Sequence, residues 1–300
     1  MSAALLFPGQ GPPPTRAQIQ RAQATSTGME LVAHAVRAAG LDREDALFRH
    51  GGRAIEPTHV LQPLVVALSL ASAARLGGQP TARHIGHSLG ELSALAFAGA
   101  ISFERAIDLA AERGRLMSAA AAKDPGGLFA LHPNDWSRAR ELSAGRATLA
   151  LDNAPDEIVA GGPEDALAAI ARAVEGRRLA ARGPWHTPQM TEARDAFRGR
   201  LANEALTAPV SPVSSCVDTE PVDTPERAVS CLAEGLVRPV RFRETIARAY
   251  ASGIRVFVVV GPGAPLRALL RRNLPSDARV LTVESDREVD EAQIALRDTA

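Results

Sequence analysis

The stretch TARHIGHSLGELSALAFAG, residues 81–99, changes rhythm twice. Thr81 to Ile85 reads as a short strand and Gly86-His87-Ser88-Leu89-Gly90 as a tight turn. Leu92, Leu95 and Phe97 then mark a helix that Gly99 stops. A G-x-S-x-G sequence between a strand and a helix is the setting of a nucleophile elbow. The reason is steric. A turn this sharp leaves no room for side chains beside the serine, so glycines flank it. The serine then sits at a helix N-terminus, where unpaired backbone N–H groups favour negative charge. The N–H of Leu89, the next residue, can face a developing oxyanion. The plainer reading is a glycine turn with a capping serine, and the strand before and helix after weigh against it.

Outward from this turn the chain alternates strands and helices. Ala3 to Phe7 is a strand leading into the loop Pro8-Gly9-Gln10-Gly11-Pro12-Pro13-Pro14, and Ala-rich helical patterns run on to about Ala46. Leu61 to Ala74 is apolar enough for a buried helix, and Ser102 is an N-cap with Glu104 in the turn it opens. A helix from Glu192 to Leu206 leads to a strand candidate, Pro209 to Cys216. Ile254 to Val260, an unbroken apolar run before Gly261-Pro262-Gly263, reads as a strand buried on both faces. The expected fold class is α/β with a mostly parallel sheet.

The middle of the chain keeps a different order. Strands are expected at Gly127–Leu131, Ala147–Leu151, Glu157–Ala160 and Arg178–Ala181, with helices at Asn134–Ser143 and Glu164–Val174. The order β-α-β-β-α-β is ferredoxin-like. It predicts a small subdomain over 124–188, inserted into a large one formed by 1–123 and 189–300.

Composition narrows the function classes. A chain of 300 residues, 46% of them hydrophobic, can bury a core without disulfides or metals. Charges balance at 34 basic against 34 acidic, which argues against a nucleic-acid binder working through a bulk positive field. Lys123 is the only lysine, so arginine is abundant by type and no single one is informative on that ground. Cys216 and Cys231 are too few for a disulfide framework or a zinc site, so no metal is expected and a reducing cytoplasm is the expected compartment. No apolar run reaches the length of a membrane span, and Leu5-Leu6-Phe7 is too short for a signal-peptide core.

Arg113 is a second, independent clue. On a helix from Ser102 to about Ala120, Ala106, Leu109, Ala110, Leu116 and Met117 cluster around its direction, while Glu104, Asp108 and Arg115 lie opposite. A guanidinium in an apolar stripe is costly unless paired. It is either a salt bridge to a buried carboxylate or a bidentate clamp for a substrate carboxylate. A serine nucleophile also needs a base. The histidines are His34, His50, His59, His84, His87, His132 and His186, and composition does not choose among them. His186 stands out because Pro184-Trp185-His186-Thr187-Pro188 is a stiff loop where insert and main body join, a place for a cleft. Pro8-Gly9-Gln10-Gly11 is either a tight turn or a loop presenting the Gln10 N–H to an oxyanion; it has neither P-loop nor dinucleotide spacing.

Five motifs now stand in order: Phe7-Pro8-Gly9-Gln10-Gly11, Gln62-Pro63, Gly86-His87-Ser88-Leu89-Gly90-Glu91, Arg113-Gly114 with Met117, and Val260-Gly261-Pro262-Gly263. In order and separation the chain resembles the malonyl-CoA:acyl carrier protein transacylases, acyltransferases of fatty-acid and polyketide synthesis, over nearly its whole length. The resemblance implies a hydrolase-like α/β core with a ferredoxin-like insert and a ping-pong reaction. Ser88 would attack the malonyl thioester with His186 as general base, giving an acyl-serine and free CoA. The phosphopantetheine thiol of an acyl carrier protein would then take the acyl group. It further implies an oxyanion hole from the N–H groups of Gln10 and Leu89. Arg113 would pair with the malonate carboxylate, selecting malonyl over acetyl. A backbone carbonyl near Gly235, rather than an Asp, would orient His186. Gln62 would support the site, and Asn153 looks like the family asparagine of the insert. No bound cofactor is implied, the CoA thioester being substrate, and a monomer is the family expectation.

Departures are present. Pro12-Pro13-Pro14 stands where many relatives have Ser-Gln, and Val259 where an acidic residue is usual. Gly183-Pro184-Trp185-His186 matches neither polyketide signature for malonyl or methylmalonyl choice, and Trp185 is expected to narrow the pocket against an α-methyl branch. A carrier-protein hydrolase shares the fold, but one for neutral acyl chains has no use for a buried Arg113. A Ser-Asp-His esterase would need an acid such as Asp152 or Asp156, both in the insert. Arg182, Arg238, Arg241, Arg271 and Arg272 are candidates for a basic patch toward an acidic carrier protein, or simply a solvated surface.

Overall fold

The computed structural model describes residues 2–48, 57–77 and 83–299. Its strands are β1 (Ser2–Phe7), β2 (Arg83–Gly86), β3 (Gly126–Leu131), β4 (Thr148–Ala154), β5 (Glu157–Pro163), β6 (Gly176–Arg178), β7 (Val213–Ser214), β8 (Pro221–Val222), β9 (Ile254–Val259) and β10 (Arg279–Thr282). Six of them form one sheet in the order β10-β9-β1-β2-β7-β8, parallel except for the β7–β8 pair. The fold is a mixed α/β architecture with a mostly parallel sheet. β1 lies at its centre, and all but the first residue of SAALLF are buried, as a strand covered on both faces requires.

Register decides where the chemistry goes. Phe7 pairs with Gly86, so β1 and β2 end level and their following loops leave the sheet side by side. A crevice beyond the carboxyl ends of parallel strands is where such sheets bind ligands. The loops touch: the His87 N–H donates to the Phe7 carbonyl at 2.9 Å. A Cβ on Gly9 would stand 2.6 Å from the His87 carbonyl oxygen, and one on Gly90 would stand 2.0 Å from that of Phe7. These glycines allow the elbow and the first loop to share one small volume. Gly90→Ala is therefore expected to lower stability by about 1–3 kcal/mol or more through overpacking against backbone. A urea midpoint that falls with unchanged slope is the expected reading, and an unchanged midpoint would refute it.

Two long helices back this edge. The helix Thr58–Ala74 is buried along most of its length and carries Gln62 inward. The helix Phe103–Lys123 is capped by Ser102, whose hydroxyl accepts from the Arg105 N–H, and it carries Arg113 on its buried face. Gly114 has no room for a side chain, since its Cβ would lie 2.6 Å from His59 backbone; the two helices meet there in close contact.

The second sheet is antiparallel throughout, in the order β4-β5-β3-β6. The helices Trp136–Leu142 and Glu164–Ala171 accompany it, and Phe129, Leu131, Ile158, Leu167 and Ile170 make its own small core. That strand order is the ferredoxin-like one. β4 is tied to the main body by Val240, whose N–H donates to Ala150 and whose carbonyl accepts from Asp152.

Some elements differ from expectation. The last strand of the small sheet is Gly176–Arg178, not Arg178–Ala181. All three of its residues are exposed, so no apolar alternation marks it, and Gly176 is needed because the Phe129 ring and Ala130 carbonyl occupy its Cβ position. The helix expected to reach Leu206 ends at Leu201, and the chain is instead pinned by the Thr207 N–H to Ala100 and the Val210 N–H to Ala98. The strand expected over Pro209–Cys216 is only Val213–Ser214, paired with β2 and β8. The expected strand from Thr81 begins at Arg83; Thr81 and Ala82 lie outside the described residues, as does His50.

Candidate active site

Ser88 occupies the left-handed backbone region with φ +54°, and so does His186 with φ +62°. Both are non-glycine residues, and such conformations persist only where surrounding structure enforces them. Each is enforced on the side that brings the two together. Ser88 Oγ lies 2.8 Å from His186 Nε2, and His186 Nδ1 lies 2.6 Å from the Gly235 carbonyl oxygen. A carbonyl can only accept. Nδ1 therefore carries the proton, Nε2 carries the lone pair, and Ser88 donates to it. Gly235 ends the helix Pro225–Glu234, where a free carbonyl is what helix geometry provides.

Burial, then the nearby charge of Arg113, pushes the His186 imidazole down to about 3, with the Gly235 carbonyl opposing. His186 is neutral at neutral pH and ready to accept a proton. The other described histidines are placed elsewhere. His34 pairs with Asp108 at 2.8 Å, His84 with Ser211 at 2.7 Å, and His132 accepts from the Asn134 N–H. His87 points away from Ser88's partner: its Nε2 meets Asn153 Oδ1 at 3.1 Å, tying the elbow to β4. Asp152 is bound by Arg243 and Asp156 by Arg272, so neither acid orients His186.

Arg113 is buried and reaches both the site and its support. It donates to Gln62 Oε1 at 3.0 Å and approaches Ser88 Oγ at 3.4 Å. Gln62 passes the contact on, donating to Gln10 Oε1 at 3.1 Å, and Gln10 in turn reaches the Thr58 hydroxyl at 3.5 Å. No carboxylate among the described residues forms an ion pair with Arg113. Burial lowers its guanidinium to about 10, opposed by the charge of Glu91, and it stays cationic at neutral pH. The alternative of a structural salt bridge is not what the side chain makes. The backbone N–H groups of Gln10 and Leu89 donate to no acceptor among the described residues.

Residues 16–296 match the acyl transferase domain family. The chain belongs to that family. It is 31% identical to a malonyl CoA-acyl carrier protein transacylase of Mycobacterium tuberculosis over 306 aligned positions, covering 96% of this chain and 98% of the relative. Among solved structures it is similar to an acyl-carrier-protein-S-malonyltransferase from Bartonella henselae, with TM-score 0.90, 30% identity, and coverage of 99% of this chain and 100% of the other. It is also similar to a malonyl-transacylase solved in complex with its type II PKS acyl-carrier protein, with TM-score 0.89, 28% identity, and coverage of 98% and 100%.

In this acyl transferase, sequence reasoning brought together Ser88, His186, Arg113, Gln62, Gln10 and Gly235, and the structure places all six in one network. Trp185 lies in the large core with its ring over Gly183. A small cavity beside Ser88 is lined by none of Trp185, His186, Gln62 and Gln10. That cavity is lined instead by residues given no role beforehand, among them Glu91, Cys216, Val217, Cys231 and Val240. Only Glu91 carried a signal, as an acid inside the elbow motif on an otherwise apolar helix. Of the proposed basic patch, Arg241 is paired with Glu244 and Arg272 with Asp156 and Glu157, whereas Arg238 and Arg271 are exposed without an ion pair among the described residues. Among the described residues no helix is long and apolar enough to cross a membrane.

Proposed function

We propose that this acyl transferase moves a malonyl group from CoA to the phosphopantetheine thiol of an acyl carrier protein by a ping-pong acyl-serine mechanism. Ser88 Oγ attacks the thioester carbonyl while its proton passes to His186 Nε2. The tetrahedral oxyanion is received by the Gln10 and Leu89 N–H groups. Collapse breaks the C–S bond, and the CoA sulfur leaves with the proton from His186. The carrier thiol then gives its proton to His186, attacks the acyl-serine, and the second collapse returns the proton to Ser88. No bound cofactor takes part, CoA entering as a substrate thioester, and the chain works as a monomer.

One observation carries the choice of acyl group: a buried, cationic Arg113 close to Ser88 that hydrogen-bonds no carboxylate among the described residues. A malonyl carboxylate supplies that partner; an acetyl group leaves a desolvated charge unpaired. The charge of Arg113 also lowers the basicity of His186. A substrate carboxylate that neutralises Arg113 removes that penalty as the imidazolium forms, so malonyl assists its own transfer.

Intact-protein mass spectrometry after brief mixing with malonyl-CoA or acetyl-CoA tests this. The expected result is a malonyl mass gain on malonyl-CoA, discharged by an acyl carrier protein, with little labelling by acetyl-CoA. Preferential labelling by acetyl-CoA, or rapid loss of label to water without carrier protein, would replace the reading with an acyl hydrolase.

A further inference from the structure

Glu91 is the only fully buried carboxylate among the described residues, and the mechanism above gives it no task. It stands in the first turn of the helix Gly90–Phe97, which begins two residues after Ser88. Its Oε1 has no hydrogen-bond partner, and its side chain lines the same cavity as Ser88 and Arg113. Charged and titratable groups face it from every element packed there. Arg113 comes from the helix Phe103–Lys123, Cys216 and Asp218 from the segment after β7, and Arg227 and Cys231 from the helix Pro225–Glu234. Arg227 is committed to Asp218, held at 3.0 Å. Both thiols are pushed up to about 12 by burial and stay neutral. The charge balance of the cavity therefore lies between Arg113 and Glu91.

Resting on the malonyl reading, we propose that Glu91 is a specificity-determining positioning residue that must be protonated for the site at Ser88 and Arg113 to take a carboxylate-bearing acyl group. With Glu91 ionised, Arg113 and Glu91 cancel, and a second carboxylate would leave a net negative charge in a site shielded from water. With Glu91 protonated, Arg113 carries the only charge and the incoming carboxylate neutralises it. Both states are populated at neutral pH. Burial first, then the charge of Asp218, raises the Glu91 carboxyl to about 7, opposed by a Ser215 hydrogen bond and by Arg113 and Arg227. Carboxylate binding raises it further, so malonyl entry draws a proton onto Glu91, whereas acetyl entry does not.

The test uses the Ser88→Ala protein, which holds the thioester unreacted. Calorimetry near pH 7 in buffers of different ionisation enthalpy compares malonyl-CoA with acetyl-CoA, the latter cancelling the titration of the CoA phosphates. Malonyl-CoA is expected to take up roughly half a proton more than acetyl-CoA. Its Kd is expected to rise about tenfold from pH 6 to pH 8, following the protonated fraction of Glu91. Adding Glu91→Gln should abolish both effects. Equal uptake for the two ligands, or excess uptake that persists with Glu91→Gln, overturns the proposal. Should that variant fail to fold, infrared difference spectra of Ser88→Ala with carbon-13-labelled malonyl-CoA decide it: an unlabelled carboxylic-acid band gained on binding supports the assignment, and its absence overturns it. Failure of the malonyl reading would look different, since the wild-type chain would then form no acyl-serine from malonyl-CoA at any pH, and both would fall.

Discussion

Ser88→Ala lowers the rate of malonyl transfer by about five orders of magnitude. The expectation rests on geometry. Ser88 is held at φ +54°, with its Oγ 2.8 Å from an imidazole whose other nitrogen is locked on the Gly235 carbonyl. Removing the hydroxyl removes the only atom the base is aimed at. His186→Ala should cost nearly as much, and the double variant little more than either, because nucleophile and base act as a unit. Steady-state transfer to an acyl carrier protein measures this, with a thermal melt confirming that each variant folds. Stability should hold or rise in Ser88→Ala only to the extent that alanine tolerates the left-handed backbone, which is about as poorly as serine does. A folded Ser88→Ala protein retaining a tenth of the wild-type rate would exclude the acyl-serine.

Arg113→Ala should reverse the preference between acyl groups. Loss of the guanidinium leaves a malonyl carboxylate buried without a partner, and breaking such a pair costs about 3–5 kcal/mol, or about two to four orders of magnitude in kcat/KM for malonyl-CoA. For acetyl-CoA the sign is opposite. The positive charge that depresses His186 is gone, the base is stronger, and acetyl loading rises by roughly threefold to tenfold as the coulombic penalty is lifted. Parallel measurement of kcat/KM for both thioesters decides it. A parallel fall for both would return Arg113 to a purely structural role, supporting Gln62 and Gln10.

The sequence carried a large part of this site. The elbow is legible because its causes are local: Gly86 and Gly90 must lack side chains where backbone passes within touching distance, and the turn falls between a strand pattern and a helix pattern. Arg113 is legible because a helix has a fixed period, and a cation in the middle of an apolar stripe is visible without coordinates. The strand order of the small sheet followed from β-α-β-β-α-β succession, yet β6 begins two residues and ends three residues before the expected strand, because an exposed edge strand has no alternation to read.

Other features needed the tertiary structure. Seven histidines look alike in composition; the stiff loop and the family resemblance single out His186, and the tertiary structure supplies the contact itself, Ser88 Oγ at 2.8 Å from its Nε2. A backbone carbonyl has no letter of its own: residues alone could not say that the Gly235 oxygen would lie on His186 Nδ1, because that contact spans 49 positions of chain. That Arg113 forms no ion pair among the described residues, and that Glu91 lines the same cavity, depend on elements far apart in the chain folding against one another. Sequence by itself determined which residues had chemistry to offer, since local sterics and periodicity are written in neighbouring letters. Tertiary structure decided which of them face each other and with what charge, since burial and pairing belong to the packed chain as a whole.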